Sequence, residues 1–258
     1  MQLKAKANVL HNVIDKLAEY DTITLAQAEK VRLMKRTDIK YVGRMSAVPK
    51  LLSALVDEYK VQIVSDDRYQ SYQTIYLDTN DLSMYNEHRN KFSYRQKIRI
   101  RTYTLAGETY FEVKTNTKGC TDKKRIRIFP NQDWKNDAIT FLAEVSDYKI
   151  DELQPMLVSK FDRITLVNRT LSARLTIDFN ISFHNIKCKT DINLSDFVIV
   201  ELKCDKEECN EMTTLLKTVK LKQIGFSKYC VGMALTDLFA EHSEFKKQIE
   251  MVESVVKM

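Results

Sequence analysis

Between Arg95 and Arg127 the chain alternates charged and apolar residues with a period of two. Arg95, Lys97, Arg99 and Arg101 take every second position, with Ile98 and Ile100 between them. A turn at Ala106 and Gly107 leads into Phe111 and Val113 alternating with Glu112 and Lys114. A second turn near Lys118 and Gly119 leads into Lys123-Lys124-Arg125-Ile126-Arg127-Ile128. Strand side chains point to opposite faces in turn, so residues two apart share a face. The period predicts three strands, each with a mostly cationic face backed by an apolar one. Such a face is often the solvated side of an antiparallel sheet. Like charges opposite one another on neighbouring strands repel, however, and a polyphosphate among them would relieve that repulsion. Arg rather than Lys stands at 95, 99, 101, 125 and 127, and its planar fork suits two-point contact with phosphate. Alternation does not say which face points inward.

The same reading covers the rest of the chain. Val9, Val13, Ile14 and Leu17 are spaced for one stripe of a helix over about 8–30. Arg36 to Tyr41 alternates as a strand with Arg36, Asp38 and Lys40 on one face. Ser46, Pro49 and the leucines at 51, 52 and 55 read as a capped helix. Gln70 to Asp78 reads as a strand, and Asn80 to Arg89 as a short helix with Tyr85 and His88 one turn apart. His88 reads as a hydrogen-bonded structural residue rather than a ligand. Helices are expected over about 131–142 and, around Pro155, over 151–159. Strands return at 161–168, 174–180 and 197–203. A helix over about 206–220, a loop at 225–229 and a long helix from Val231 to Val256, with Leu235, Leu238 and Phe239 packing inward, complete the chain. The sum is an α+β protein of seven or eight alternating strands; about eight can close on side chains and one slender ligand.

Composition removes other classes. Gly is present at 5 positions and Pro at 3, too few for flexible linkers or long disordered tails. No apolar run approaches a membrane span, and the N-terminus lacks a signal core. The 5 cysteines fit reduced thiols and a cytoplasmic location better than a disulfide framework. No Cys or His spacing makes a zinc site. The formal charge of +6 points to an anionic partner because it is concentrated on particular strands.

A series of short words then stands in order. Arg36-x-Asp38-x-Lys40-Tyr41, Tyr76-x-Asp78-Thr79 and Tyr85-x-x-His88 precede Arg95-x-Lys97-x-Arg99-x-Arg101-x-Tyr103. Phe111-Glu112-Val113-Lys114, Lys123-Lys124-Arg125 and Arg163-Ile164-Thr165-Leu166-Val167-Asn168 follow. Arg174-Leu175-Thr176-Ile177-Asp178, Glu201-Leu202-Lys203 and Gly225-Phe226-Ser227-Lys228-Tyr229 end it. Over about 36–232 this resembles the VTC domain, the polyphosphate polymerase domain of the vacuolar transporter chaperone, in its bacterial stand-alone form. That family belongs to the triphosphate tunnel metalloenzymes. The resemblance implies a closed antiparallel barrel of about eight strands, decorated with helices, whose basic face points into a tunnel. It divides the chain into an N-terminal helical segment at 1–35, the tunnel domain at 36–232 and a C-terminal helix at 233–258 packed on the same domain.

The implied activity transfers the γ-phosphate of ATP to a growing polyphosphate chain, with a divalent metal, Mn or Mg. By match to the family, Arg99, Arg101, Lys114 and Arg163 would steady the transferring group. Lys40, Lys124, Arg125, Lys203, Ser227 and Lys228 would bind substrate phosphates, with the Lys123-Lys124 doublet leaving the register at Lys124 open. Glu201, assisted by Glu112 and Asp178 in the family pattern, would hold the metal; Glu112 and Asp178 read equally as ion-pair partners of a nearby cation. Expected partners are ATP, pyrophosphate or polyphosphate, with no nucleic acid and no membrane span. The eukaryotic polymerase subunit has Tyr where this chain has Phe161 and His where it has Asn116. Tunnel triphosphatases open with a Glu-x-Glu-x-Lys strand; Arg36 to Lys40 is poorer in carboxylate, which tilts away from hydrolysis by water. The alternatives are a metal-dependent triphosphatase, acting on tripolyphosphate or a nucleotide, and a non-catalytic polyphosphate-binding module.

Overall fold

The alternating segments form strands of a twelve-stranded sheet that is antiparallel except for one short parallel pair. The structure, a computed structural model, describes residues 2–28, 37–129, 131–204, 209–237 and 240–256. Arg36, Leu238, Phe239 and the expected helix start at Lys206 lie outside the described residues. The strands are β1 Thr22–Thr24, β2 Thr37–Arg44, β3 Tyr59–Ile63, β4 Gln70–Asp78, β5 Tyr94–Tyr103 and β6 Glu108–Thr117. They continue as β7 Cys120–Ile128, β8 Gln154–Asn168, β9 Ala173–Asn185, β10 Thr190–Leu194, β11 Phe197–Cys204 and β12 Lys222–Gln223. The helices are α1 Gln2–Ala18, α2 Leu25–Ala28, α3 Val48–Leu55, α4 Ser83–Arg89, α5 Lys135–Val145, α6 Cys209–Thr218, α7 Lys228–Thr236 and α8 Lys246–Val256.

The main path runs β12-β2-β11-β9-β8-β4-β5-β6-β7, with β1, β3 and β10 attached at its side. Eight long strands, β2 to β7 along this path, carry the inward face. No ladder among the described residues joins the end strands β7 and β12, so hydrogen bonding leaves the path open where a closed barrel of about eight strands was expected. The sheet nevertheless curls. In a flat sheet the five steps from β11 to β6 would span roughly 24 Å, yet Lys114 of β6 and Glu201 of β11 line one cavity and act on each other electrostatically.

Apolar residues settle where each face goes. Tyr41, Val198, Val200, Leu202, Leu175 and Ile177 turn outward and pack with Val13, Leu17, Leu51, Leu52 and Leu216 of α1, α3 and α6. Ile98, Phe111 and Val113 turn outward against Ala138 and Leu142 of α5. One end of the inner face is apolar: Tyr72, Leu157, Phe161, Phe183 and Ile199 pack against Tyr229, Val231 and Met233 of α7, with Phe245, Val252 and Val255 beyond. A methyl group at Gly232 would stand 2.5 Å from Leu157 Cδ2 and 2.8 Å from Phe183 Cδ1, so α7 lies hard against β8 and β9 only because this residue has no side chain.

Four further expectations are corrected. The helix expected over about 8–30 ends at Ala18, and β1 and α2 follow within that span. The segment 151–159 is not a helix; only a turn at Ile150–Glu152 is helical, and Gln154 begins the long β8. Pairing with β4 and β9 on both sides outweighs the local pattern around Pro155, which sits at a register shift opposite Leu77. The long C-terminal helix is two helices, α7 ending at Thr236 and α8 starting at Lys246 after a turn at Ser243–Phe245. Cys204 is disulfide-bonded rather than a thiol, while Cys120, Cys188 and Cys230 are free. Among the described residues no helix is long and apolar enough to cross a membrane.

Candidate functional site

The ladder registers assemble one inward row across the curled sheet. Lys40 stands beside Glu201, and Asp38 beside Lys203. Asp178 stands beside Ile199 on one side and Arg163 on the other. Thr74 faces Arg101, Tyr76 faces Arg99, Arg99 faces Glu112 and Lys97 faces Lys114. Arg125 follows Glu112, and Lys123 follows Lys114. The cations thus come from strands far apart in sequence but in register on one face.

Carboxylates are set among them. Arg99 donates from Nε to Glu112 Oε2 at 2.8 Å, and Lys123 Nζ lies 3.5 Å from Glu112 Oε1. Glu112 is fully buried; burial pushes its carboxyl up, but Arg99, Arg101 and Lys123 outweigh that and bring it down to about 2. Arg163 clasps Asp178 through Nε at 2.5 Å and a second nitrogen at 2.8 Å, and Lys228 donates to the same carboxylate. Burial opposes ionisation of Asp178, and Arg163 with Lys228 reverses it. Glu201 sits 3.2 Å from Lys40 and 3.4 Å from Lys203, which also reaches Asp38 at 3.5 Å. Burial raises the Glu201 carboxyl, but Lys40, Lys203, Arg163 and Lys114 hold it well below the usual range. Aromatic rings support the guanidinium groups: Tyr72 stacks on Phe161 at 5.0 Å, and Arg101 and Arg163 both lie over that pair. Arg101 also donates to Thr74 Oγ1 at 3.1 Å.

Lys114 differs from these. Among the described residues it has no hydrogen-bond or ion-pair partner within reach, and burial lowers its pKa to about 8 against the pull of Glu201. Burial likewise brings Lys228 to about 8 despite Asp178.

The loop before α7 delivers Ser227 and Lys228. Ser227 caps the helix, accepting from the Cys230 N–H at 3.3 Å. Tyr229 anchors it from behind, donating at 2.5 Å to the buried Asp78, which also accepts from the amides of Thr79, Met84 and Tyr85. Asp78 thereby ties the end of β4 to the starts of α4 and α7, which the sequence word Tyr76-x-Asp78-Thr79 contained without revealing.

Lys40, Arg99, Lys114, Glu201, Ser227 and Lys228, all singled out in the sequence, line one cavity of about 760 Å³. Lys97, Arg95, Tyr76, His88, Phe245 and Gln248, which were not assigned roles, line it too. Its wall carries eight Lys and Arg side chains against three carboxylates. Arg101, Arg163, Lys203, Glu112 and Asp178 are on the same face, held in the pairs just described. Arg125 lies at the exposed edge, over the Tyr110 ring at 4.3 Å. Lys124 is corrected: its register partner is Val113, so it stands on the outer face beside Thr115 and Asp122, and Lys123 takes the inward place.

The three expected metal-binding carboxylates do not gather into a donor set. Each is neutralised by two cations, and among the described residues no group of three His, Cys, Asp or Glu side chains could hold a metal. Glu112 Oε1, buried without a hydrogen bond, faces Lys123 instead. The residues present therefore do not fit a metal centre built by protein alone.

A family model described as VTC domain matches residues 35–237. No curated protein matches the chain by sequence. Among solved structures, a Bacillus halodurans protein proposed to be an adenylate cyclase aligns at 15% identity and TM-score 0.49, covering 79% of this chain and 96% of that one. A Vibrio parahaemolyticus protein of the same proposed activity aligns at 14% identity and TM-score 0.47, covering 77% and 97%. A Hippeastrum protein, HpAC1, described as having a dominant triphosphatase activity, aligns at 14% identity and TM-score 0.48, covering 78% and 97%.

Proposed function

The chain belongs to the VTC domain family, and on that footing we propose that it is a polyphosphate polymerase, transferring the γ-phosphate of ATP to the end of a polyphosphate chain in its cation-lined cavity. The observation that carries this reading is the excess of fixed cations, drawn from both ends of the sheet, around one cavity whose Lys114 has no hydrogen-bond or ion-pair partner among the described residues.

Phosphoryl transfer asks for positioning and charge stabilisation rather than covalent work by the protein. The acceptor is already an ionised phosphate, so no base is needed to activate it. Arg99 is fixed by Glu112, and Arg163 by Asp178 and the aromatic shelf, so these forks hold their direction before substrate arrives. Lys114, Lys40 and Lys228 would neutralise charge on the phosphates, and Ser227 would donate to one of them. Mn or Mg would enter as part of the metal–ATP substrate, where phosphate oxygens and water complete the shell of a hard cation. A curled sheet that brings its end strands together around the substrate is the counterpart of the expected tunnel.

Incubation with ATP and Mn, followed by a gel for polymeric phosphate and an assay for free phosphate, tests the proposal. Polymer growth is expected, with Lys114→Ala slowing it by about a hundredfold, the scale of one lost transition-state contact. Free phosphate without polymer would mean a triphosphatase. Salt-sensitive binding of polyphosphate without turnover would mean a binding module.

A further inference from the structure

Lys97 stands on the inward row between Arg95 and Arg99, where a basic residue is expected to grip the substrate. Its surroundings give it another task. An ammonium has three protons to donate and accepts nothing. One goes to His88 Nδ1 at 3.0 Å and one to Ser227 Oγ at 2.9 Å. His88 suits its part: burial and Lys97 hold its pKa at about 3, so the ring is neutral, and because an ammonium can only donate, Nδ1 is the accepting nitrogen of that contact. Two of the three protons of Lys97 are thus directed at the protein.

Ser227 shows the consequence. A hydroxyl has two lone pairs and one proton. Its lone pairs receive Lys97 Nζ and, at 3.3 Å, the Cys230 N–H. Only the proton is left to give. Among the described residues no hydrogen bond takes that proton, and a phosphate oxygen in the cavity, which Ser227 lines, would be a strong acceptor for it.

We infer that Lys97 is a positioning residue: by occupying the Ser227 oxygen it turns the hydroxyl proton outward to a phosphate of the substrate. This rests on the polyphosphate reading of the cavity. It predicts that Lys97 acts only through Ser227, which neither a direct phosphate contact nor a general structural role would do.

The test is tripolyphosphate binding by titration calorimetry to the wild type, Lys97→Met, Ser227→Ala and the double variant. Each single change is expected to weaken binding about tenfold, the scale of one hydrogen bond to a charged group. The double variant is expected to bind no more weakly than Ser227→Ala. Losses that add up, or a Lys97→Met variant that binds like the wild type, would overturn the inference. Should Lys97→Met fail to fold, Ser227→Thr, which keeps the hydroxyl and leaves Lys97 alone, is expected to bind within about threefold of the wild type. Ser227→Ala binding as tightly as the wild type would overturn the inference in any case. A wild type that binds with this coupling but makes no polymer leaves the positioning role standing and removes the polymerase reading. A wild type that does not bind tripolyphosphate removes both.

Discussion

Lys114 and Lys228 make the cavity sensitive to pH. Burial brings both to about 8, below the ordinary lysine value. They therefore lose their protons as pH rises through about 8, and the cavity loses positive charge there. Tripolyphosphate affinity is expected to fall between pH 7 and 9, and binding near pH 8 to take up protons, because an adjacent anion raises both lysines again. Calorimetry in buffers of different ionisation enthalpy measures this; an affinity that is flat from pH 7 to 9 would refute it. Stability without ligand runs the other way. The unfolded chain holds these protons up to about 10.5, so their contribution to folding improves as pH rises from about 8 to that value. At this scale the sequence was informative about residue type and poor about partners. The row from Arg95 to Arg101 was plain, but Lys97's role depends on His88 and Ser227, and Ser227 is 130 residues away in the chain.

Among the elements, the edge strand β7 carries the sharpest contrast. Its two adjacent lysines differ only in face: Lys123 reaches Glu112, while Lys124 faces away. Lys123→Ala is expected to weaken tripolyphosphate binding roughly three- to tenfold, the scale of one partly exposed charge, and Lys124→Ala to leave it unchanged. Equal effects in a binding titration would show that the register is wrong. The period of two already favoured Lys123, which is in phase with Arg125 and Arg127 while Lys124 is in phase with Ile126 and Ile128; matching the doublet to the family word left the register open instead. β5 and β6 were legible since a period of two is a local signal. The first part of β8, before Phe161, was not, because what makes it a strand is its neighbours β4 and β9, neither of them local. Gly232 is a related case: only the assembled packing explains the residue, and Gly232→Ala is expected to destabilise the protein by about 1–3 kcal/mol in a denaturant titration.

For the molecule as a whole, the open path between β7 and β12 gives a bound anion a mechanical role. A phosphate chain held by Lys114 on β6 and by Lys40 on β2 would bridge strands near opposite ends of the sheet. Ligand is therefore expected to slow hydrogen exchange of the β2, β6 and β7 amides more than those of β8 and β9, which are paired on both sides already. Uniform slowing throughout the sheet would count against such bridging. The family and the class of fold were readable from the order of short words along the chain. The twelve-strand count and the unjoined ends were not, since short attachments such as β1, β3 and β10 carry little pattern of their own.

The seating of Glu112, Asp178 and Glu201 among the cations also bears on how the protein is made. Repulsion among so many positive groups seemed to require a guest, yet the chain supplies part of the opposing charge from its own strands. The opposing charge is therefore written into the sequence, and the folded sheet depends less on a guest for its cohesion than the row of cations alone would suggest.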